Sequence, residues 1–457
     1  MGDRKTQKWA TRRLLLYAVP GIGYVLAVLA LCLLVFLVVL GYVGDSRLQE
    51  ARERIERLTP KHGRTVRPIG TEVDAGRRLA AAAAMAWLEG ESGSELRVPE
   101  TAGLRAVGRA IPVDAAHALL EYRQKHRVLR LLLQPFYGEC VGSSDGSENV
   151  FAGEEVRPLV ETLVRGAGPL FYRIRWLELA QQASPEQSIT GEGVIALLNC
   201  GQAYAGAPAT YVLGTTNSVF DAFALLEETL GRAELEPQVL SALARCLAIA
   251  EAWTSPRSTL WSIARDWAGP HGLSSSQERI EQLTKALSSP VESRWARRVW
   301  WERRLPGVGK MRLAKEIRAI AEALRVLKRP LREQLTWATE LSRDWRPPWM
   351  QAELAGIVTT RVHVVARLRV GAAAVAAERY RLRHGSWPES VAELVPAYLD
   401  AEPQDPFSGG PVSYRSTPTG MVIYSIGGDL TDNGGASGTD GDITFTLIDP
   451  LRRGRLE

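Results

Sequence analysis

From Leu14 to Val43 the chain carries no charged side chain, a run of thirty positions. About 20 residues of helix cross a hydrocarbon core of roughly 30 Å, so the run is long enough to span a bilayer. Between Tyr24 and Val43, fourteen residues are Leu, Val or Phe, and each favours insertion by about 0.3 to 0.6 kcal/mol near the helix centre. Pro20, Gly21 and Gly23 predict a kink or a late helix start, because proline removes a backbone donor and clashes with the preceding turn. A cleaved signal peptide would have a core of about 7 to 15 apolar residues and a small-x-small site. This run is longer and ends Gly41-Tyr42-Val43-Gly44, and the apolar sequence continues past Cys32, so neither cleavage nor a lipoprotein is expected.

The formal net charge is +5, and residues 1–13 hold Arg4, Lys5, Lys8, Arg12 and Arg13 against Asp3, a local +4. Only +1 is left for the rest, so net charge gives no reason to expect a nucleic-acid partner. By the positive-inside rule the basic cluster places residues 1–13 in the cytoplasm. The expectation is a single-pass protein of the inner (plasma) membrane, with the lipid bilayer around residues 14–43 and the bulk of the chain periplasmic or extracytoplasmic.

A chain of 457 residues is expected to form more than one domain. Asp45 to Leu58 mixes charges at helical spacing, with Glu50 four residues before Arg54 and Glu53 four before Arg57. That pattern reads as a solvated helix continuing the anchor, and residues 44–71 as a stalk and linker broken by Pro60, Gly63, Pro68 and Gly70. Residues 72–348 read as helix after helix, for example Leu119, Tyr122, His126, Leu129 and Leu133 on one face. Ser184-Pro185-Glu186-Gln187 and Ser289-Pro290-Val291-Glu292 read as capped helix starts, with Ser255-Pro256 a third. Antiparallel helical hairpins are the economical architecture; the region is similar to tetratricopeptide-like arrays, without their 34-residue period.

Cys140, Cys200 and Cys246 fall outside the apolar run and show no C-x-x-C or zinc spacing. Two readings stand: three small buried residues, the simpler, or a Cys140 to Cys200 bridge. Six histidines form no close metal pair, and there is no G-x-S-x-G elbow. Arg294 to Arg304, with Trp295, Trp300 and Trp301, leads into Leu305-Pro306-Gly307-Val308-Gly309-Lys310. The hexapeptide resembles the helix-hairpin-helix DNA-binding turn, which implies backbone amides offered to phosphate. The expected alanine is one place late, at Ala314, and no second hairpin follows. The other reading is an ordinary turn, with Arg and Trp covering a helix face or meeting lipid headgroups. A P-loop is excluded, because Met311 stands where Ser or Thr must hold magnesium.

Residues 349–457 change character: a long helix over Gln351 to His384, an exit at Gly385, a short helix near Glu389 to Val395, then strands at Val412 to Arg415, Gly420 to Ile426 and Asp442 to Leu447. Tyr380, Trp387, Tyr398 and Phe407 are sized to fill the helix–sheet interface. Asp429, Asp432, Asn433, Asp440 and Asp442 crowd five oxygen-bearing side chains between two strands. A hard cation such as calcium takes about six to eight oxygen ligands and relieves such repulsion. A solvated turn whose aspartates serve tight geometry is the alternative.

Glu378-Arg379-Tyr380-Arg381-Leu382, His384-Gly385, Trp387-Pro388, Glu393-Leu394-Val395-Pro396, Tyr398-Leu399, Asp405-Pro406-Phe407 and Tyr414 together resemble the C-terminal part of the major pseudopilin of type II secretion, with Asp429, Gly434-Gly435 and Asp442-Ile443 extending the match. The resemblance covers about residues 351–447 and implies a calcium-binding loop with Asp429 and Asp442 as the first ligands. The prepilin leader differs, since no glutamate follows Gly21 or Gly23 in the apolar run. Assembly into a pseudopilus is therefore not expected.

The sequence predicts a mainly α fold: an N-terminal transmembrane helix, an extracytoplasmic α-helical hairpin domain and a C-terminal α+β pseudopilin-like module. The expected role is a non-enzymatic interaction or structural protein of the envelope with an unidentified protein partner. Two alternatives stay open: an extracytoplasmic DNA-capturing receptor, and an enzyme whose site is assembled by folding of the helical domain.

Overall fold

The computed structural model describes residues 3–58, 72–91, 107–138, 160–184, 189–205, 211–269, 307–343, 349–436 and 441–455. It is mostly helical, with one small antiparallel sheet near the C-terminus. Contacts divide it into two units, Met1–Pro60 with Ile263–Glu322, and Lys61–Ser262 with Ala323–Glu457.

In the first unit, helix α1 (Asp3–Leu58) runs unbroken through the apolar segment and on through Leu58. The helical sequence from Asp45 onward is thus realised, whereas the late start expected at Pro20 is not: the helix already begins at Asp3. The later turns are not solvated all round. Leu48, Ala51 and Ile55, spaced by three and four residues, are buried and give α1 one inward face. Of the two expected charge pairs, Glu53–Arg57 forms at 3.4 Å, while Glu50 pairs with Arg47 at 3.7 Å and with Arg318 at 2.9 Å.

The second unit contains α2 (Glu72–Glu91), α3 (Val113–Lys125), α4 (Arg127–Leu133), α5 (Val160–Gln182), α6 (Glu192–Ala205), α7 (Tyr211–Arg232) and α8 (Pro237–Trp253). Helix α9 (Arg257–Ala268) starts directly after Pro256, whose carbonyl accepts from Leu260 at 2.9 Å, as the Ser255-Pro256 signal predicts. The other two capped starts include residues outside the described ones. The predicted face Leu119, Tyr122, His126, Leu129 and Leu133 is buried throughout. Close helix approach depends on small residues: a Cβ on Gly166 would meet the Ala83 carbonyl oxygen at 2.3 Å, and one on Gly214 would meet Tyr204 Cβ at 2.2 Å.

After α10 (Val308–Val326) and α11 (Leu331–Arg343), the long helix α12 (Trp349–His384) forms the spine of the second unit, packing on α7, α8 and α11 as well as the sheet. Its central residues are small and apolar, and Val362, Val365, Ala366, Val370 and Ala373 through Ala377 are fully buried. The helix ends at Gly385, whose φ of +80° lies in the left-handed region that a side chain disfavours.

The strands are β1 (Ser413–Thr417), β2 (Gly420–Ser425) and β3 (Ile443–Ile448), antiparallel in the order β1-β2-β3, with Tyr414 opposite Ile423 and Ile423 opposite Phe445. They fall within two residues of the sequence expectation at each end. The short helix is a single 3-10 turn, Val391–Leu394. Phe407 joins Val362, Ala366 and Ile443 in the core under the sheet. Tyr380, Trp387 and Tyr398 do not: they are half-buried at the helix exit, where Tyr380 stacks on His384 at 4.2 Å and Arg381 lies over Trp387 at 5.4 Å. Their polar edges explain the placement, since Tyr380 donates to Glu393 and Tyr398 contacts His384.

The bridge between Cys140 and Cys200 is a misreading, because Cys200 is a buried free thiol. Cys246 is disulfide-bonded, so three independent buried thiols is also wrong, and its partner lies outside the described residues. A cysteine at helical core spacing looks the same in sequence whether or not it is bridged.

Candidate functional site

Two surfaces stand out, and each grows from local sequence. The first is the apolar part of α1. Leu26, Leu31, Leu34, Val35 and Phe36 lie on all sides of the helix, and each exposes more than half of its surface, with Leu31 at 61% and Phe36 at 58%. A soluble protein rarely exposes so continuous an apolar surface. This helix is long and apolar enough to cross a membrane.

The second is the loop between β2 and β3. Leu430, at φ 59°, and Gly427, Gly434 and Gly435, all at positive φ, coil it tightly. Asn433 brings two of the predicted ligands together: its side-chain amide donates to Asp429 at 3.0 Å and its backbone N–H to Asp442 at 3.2 Å. The other Asp442 oxygen accepts from Gly435 N–H at 2.6 Å, and Asp442 is buried. Asp432 turns to a different side, accepting from Gly434 N–H at 2.9 Å, and its charge helps raise the pKa of the nearby Tyr424 hydroxyl, which burial raises most. Asp440 lies outside the described residues. Among the described residues, no group of three His, Cys, Asp or Glu side chains is arranged to hold a metal ion.

Below this loop are two residues to which the sequence assigns no site role, Asp405 appearing there only within the Asp405-Pro406-Phe407 motif. Asp405 is buried and accepts from the backbone N–H groups of Phe407 (3.0 Å) and Ile426 (3.2 Å) and from the Ser425 hydroxyl (2.7 Å). It therefore fixes the end of β2, from which the loop departs. His363 packs against Gly428, where a Cβ would come within 3.1 Å of its ring, and against Phe407 at 4.9 Å. Burial, helped by the nearby Arg367, pushes its pKa down to about 4, so it adds no positive charge under the acidic loop. An aspartate before Pro-Phe and a histidine inside a long helix carry no sequence signal that separates them from core packing.

The glycine turn also has a defined position within the first unit. Gly307 and Gly309 are buried, and a Cβ on Gly307 would meet the Leu40 carbonyl oxygen at 2.0 Å. Leu305, Pro306 and the whole of Arg294 to Arg304 lie outside the described residues.

Inside the helical unit, Glu178 is 1% exposed. Its Oε2 accepts the Gly193 N–H at 2.9 Å, while Oε1 has no hydrogen-bond partner among the described residues. Desolvation pushes its pKa up to about 7, against the opposing hydrogen bond from Gly193. Glu227, which accepts Thr446 N–H at 2.6 Å, is likewise raised by burial to about 7. The Tyr137 hydroxyl, near Glu178, is raised chiefly by the same desolvation.

No family model, curated protein or solved structure matches the chain.

Proposed function

We propose that the protein is a single-pass, membrane-anchored, non-enzymatic interaction or structural protein of the cell envelope, with residues 1–13 cytoplasmic and the bulk of the chain beyond the membrane. The observation that carries this reading is the bare apolar surface of α1 from Leu26 to Val39, which only lipid or another apolar chain would cover. Two further observations support the direction. The basic cluster precedes the apolar run. Cys246 is oxidised to a disulfide, which persists outside the reducing cytosol. An uncleaved anchor is supported by the packing of Gly307 on Leu40 and Gly44, which a cleavage in this region would remove.

The C-terminal helix and sheet, pseudopilin-like in their motifs, would present the Asp429–Asp442 loop to a protein partner. Calcium would tighten that loop. Asp429 and Asp442 meet through Asn433, and each carboxylate oxygen spends only part of its acceptor capacity on the N–H groups of Thr431, Asn433 and Gly435. Both keep lone pairs for a hard cation. Capture of DNA by the glycine turn is the weaker reading, since Gly307 and Gly309 are packed inside. A catalytic role for Glu178 is weaker too, because a carboxyl 1% exposed offers no route to substrate.

Alkaline extraction of membranes followed by protease treatment of spheroplasts tests the anchor. The expected result is a chain that stays with the membrane and is digested from outside. Release at alkaline pH, or full protection from protease, overturns the proposal. Calcium is tested separately by thermal unfolding against a chelator; identical curves sink that part alone.

A further inference from the structure

The end of the apolar helix is not bare on every side. A Cβ on Gly44 would meet the Gly307 carbonyl oxygen at 2.6 Å and its Cα at 2.9 Å, so the two backbones touch directly. Helix α10 begins at the next residue. Its contacts with α1 then climb in step along both helices: Gly307 lies against Leu40 and Gly44, Lys310 pairs with Asp45, and Arg318 reaches Arg47 O at 3.5 Å and Glu50 at 2.9 Å. The two helices therefore run parallel, and α10 starts at the level where the apolar run stops.

That level is marked independently. Val43 and Gly44 are the last residues before the first charge, Asp45. Tyr42 is 76% exposed, and tyrosine at the end of an apolar span settles among lipid headgroups. The first turn of α10 stands beside it.

The outward face of α10 is graded to match. Val308, Met311, Lys315 and Glu322 share one side, with Arg312 at its margin. Val308 and Met311, half-exposed, come first; basic Arg312 and exposed Lys315 follow. Glu316 lies within this stretch but is buried and paired with Arg312 at 3.4 Å. The first exposed acid on the face, Glu322, is about 20 Å further along the axis from Val308. Apolar, then basic, then acidic is the order that a bilayer surface imposes with distance from its core.

We propose that the first turns of α10, on the Val308–Met311–Lys315 side, rest on the outer surface of the bilayer that α1 crosses and bind its headgroup phosphates, forming a second, peripheral membrane contact. The inference rests on the reading of α1 as a membrane span. It turns the stretch after Gly44 from a free stalk into a helix pair held at the membrane.

The test uses the full chain, carrying Cys32→Ala and Cys200→Ala, reconstituted in phosphatidylcholine vesicles mixed with phosphatidylglycerol. A bimane label is placed in turn through Leu33→Cys, Tyr42→Cys, Met311→Cys and Glu322→Cys, and quenched by lipids with a nitroxide at the headgroup or in the acyl chain. The expected result is headgroup quenching at Met311 as strong as at Tyr42 and several-fold stronger than at Glu322, and weakened by Lys315→Glu. If Tyr42 is quenched while Met311 behaves like Glu322, the surface contact is overturned and the anchor stands. A Leu33 label reached by a water-soluble quencher but not by the acyl-chain nitroxide overturns the anchor and the contact together.

Discussion

Arg453 donates to the fully buried carboxylate of Glu378 at 2.9 Å, tying the residues after the last strand to the interior of α12. Arg381, one turn further along α12, grips the same carboxylate at 2.8 Å and reaches Glu234 at 2.6 Å. Arg453 also donates to the Ala233 and Ile448 carbonyl oxygens at 3.1 Å each. One buried acid thus gathers α12, the turn after α7 and the chain beyond β3. The sheet is consequently not an appendage: Phe223 of α7 meets Phe445 of β3 edge to face at 5.2 Å, and Thr446 N–H donates to Glu227.

Removing one side of that arrangement leaves the other charge buried and unpaired, which costs about 3 to 5 kcal/mol. Glu378→Gln is therefore expected to lower the urea midpoint of the purified chain strongly, and Arg453→Met to do the same to a lesser degree because Arg381 still serves the acid. A midpoint unchanged by Glu378→Gln would show that the arginines find water there.

Glu178 predicts a pH dependence with a definite sign. Its folded pKa, about 7, is above its ordinary value of 4.5, so between the two the folded state holds a proton that the unfolded chain has released. The stabilising difference is present below pH 4.5 and is lost as pH rises to 7, a change on the order of 3 kcal/mol. Glu178→Gln keeps an acceptor for Gly193 N–H and cannot titrate. Urea unfolding from pH 5 to 8 is expected to show a flatter profile in this variant than in the parent; parallel profiles would mean that Glu178 is solvated.

Much of the fold is legible in the sequence, for physical reasons. The apolar run, the alternation in Ile443 to Ile448 and the glycine at 385 each state a local demand that tertiary structure had no cause to override. The rest depends on partners far away in sequence. Leu48, Ala51 and Ile55 are too sparse among charges to announce a buried face, and Glu378 reads as one more charge in Glu-Arg-Tyr-Arg until Arg453, 75 residues on, comes beside it. At the loop, the five oxygen-bearing residues are visible as composition, yet that Asn433 joins Asp429 to Asp442 while Asp432 turns toward Tyr424 depends on the coil of the loop.

The two outer aspartates of that loop are expected to respond differently to substitution. Asp442 is buried and accepts from Asn433 and Gly435 N–H groups, so Asp442→Ala leaves two amides unpaired and costs about 1 to 3 kcal/mol with or without calcium. Asp429 is exposed, and Asp429→Asn keeps an acceptor for Thr431 N–H. It should leave the melting temperature in chelator almost unchanged and abolish any rise on adding calcium. A rise that survives Asp429→Asn would remove this residue from the proposed ligand set.

The cysteines separate compartment from packing. Cys246 is bridged, whereas Cys200 is buried as a thiol whose pKa burial pushes up, which keeps it unreactive in the folded chain. Chain isolated from membranes under acid quench, then unfolded without reductant and alkylated, is expected to show label on Cys200 and none on Cys246. Reductant should add label to Cys246 and lower stability by about 2 to 4 kcal/mol, the usual contribution of a native bridge. Cys246 alkylated before reduction would place that part of the chain in a reducing compartment, and would count against the orientation as well as the bridge, since an exported domain with an intact thiol pair has ready access to oxidants.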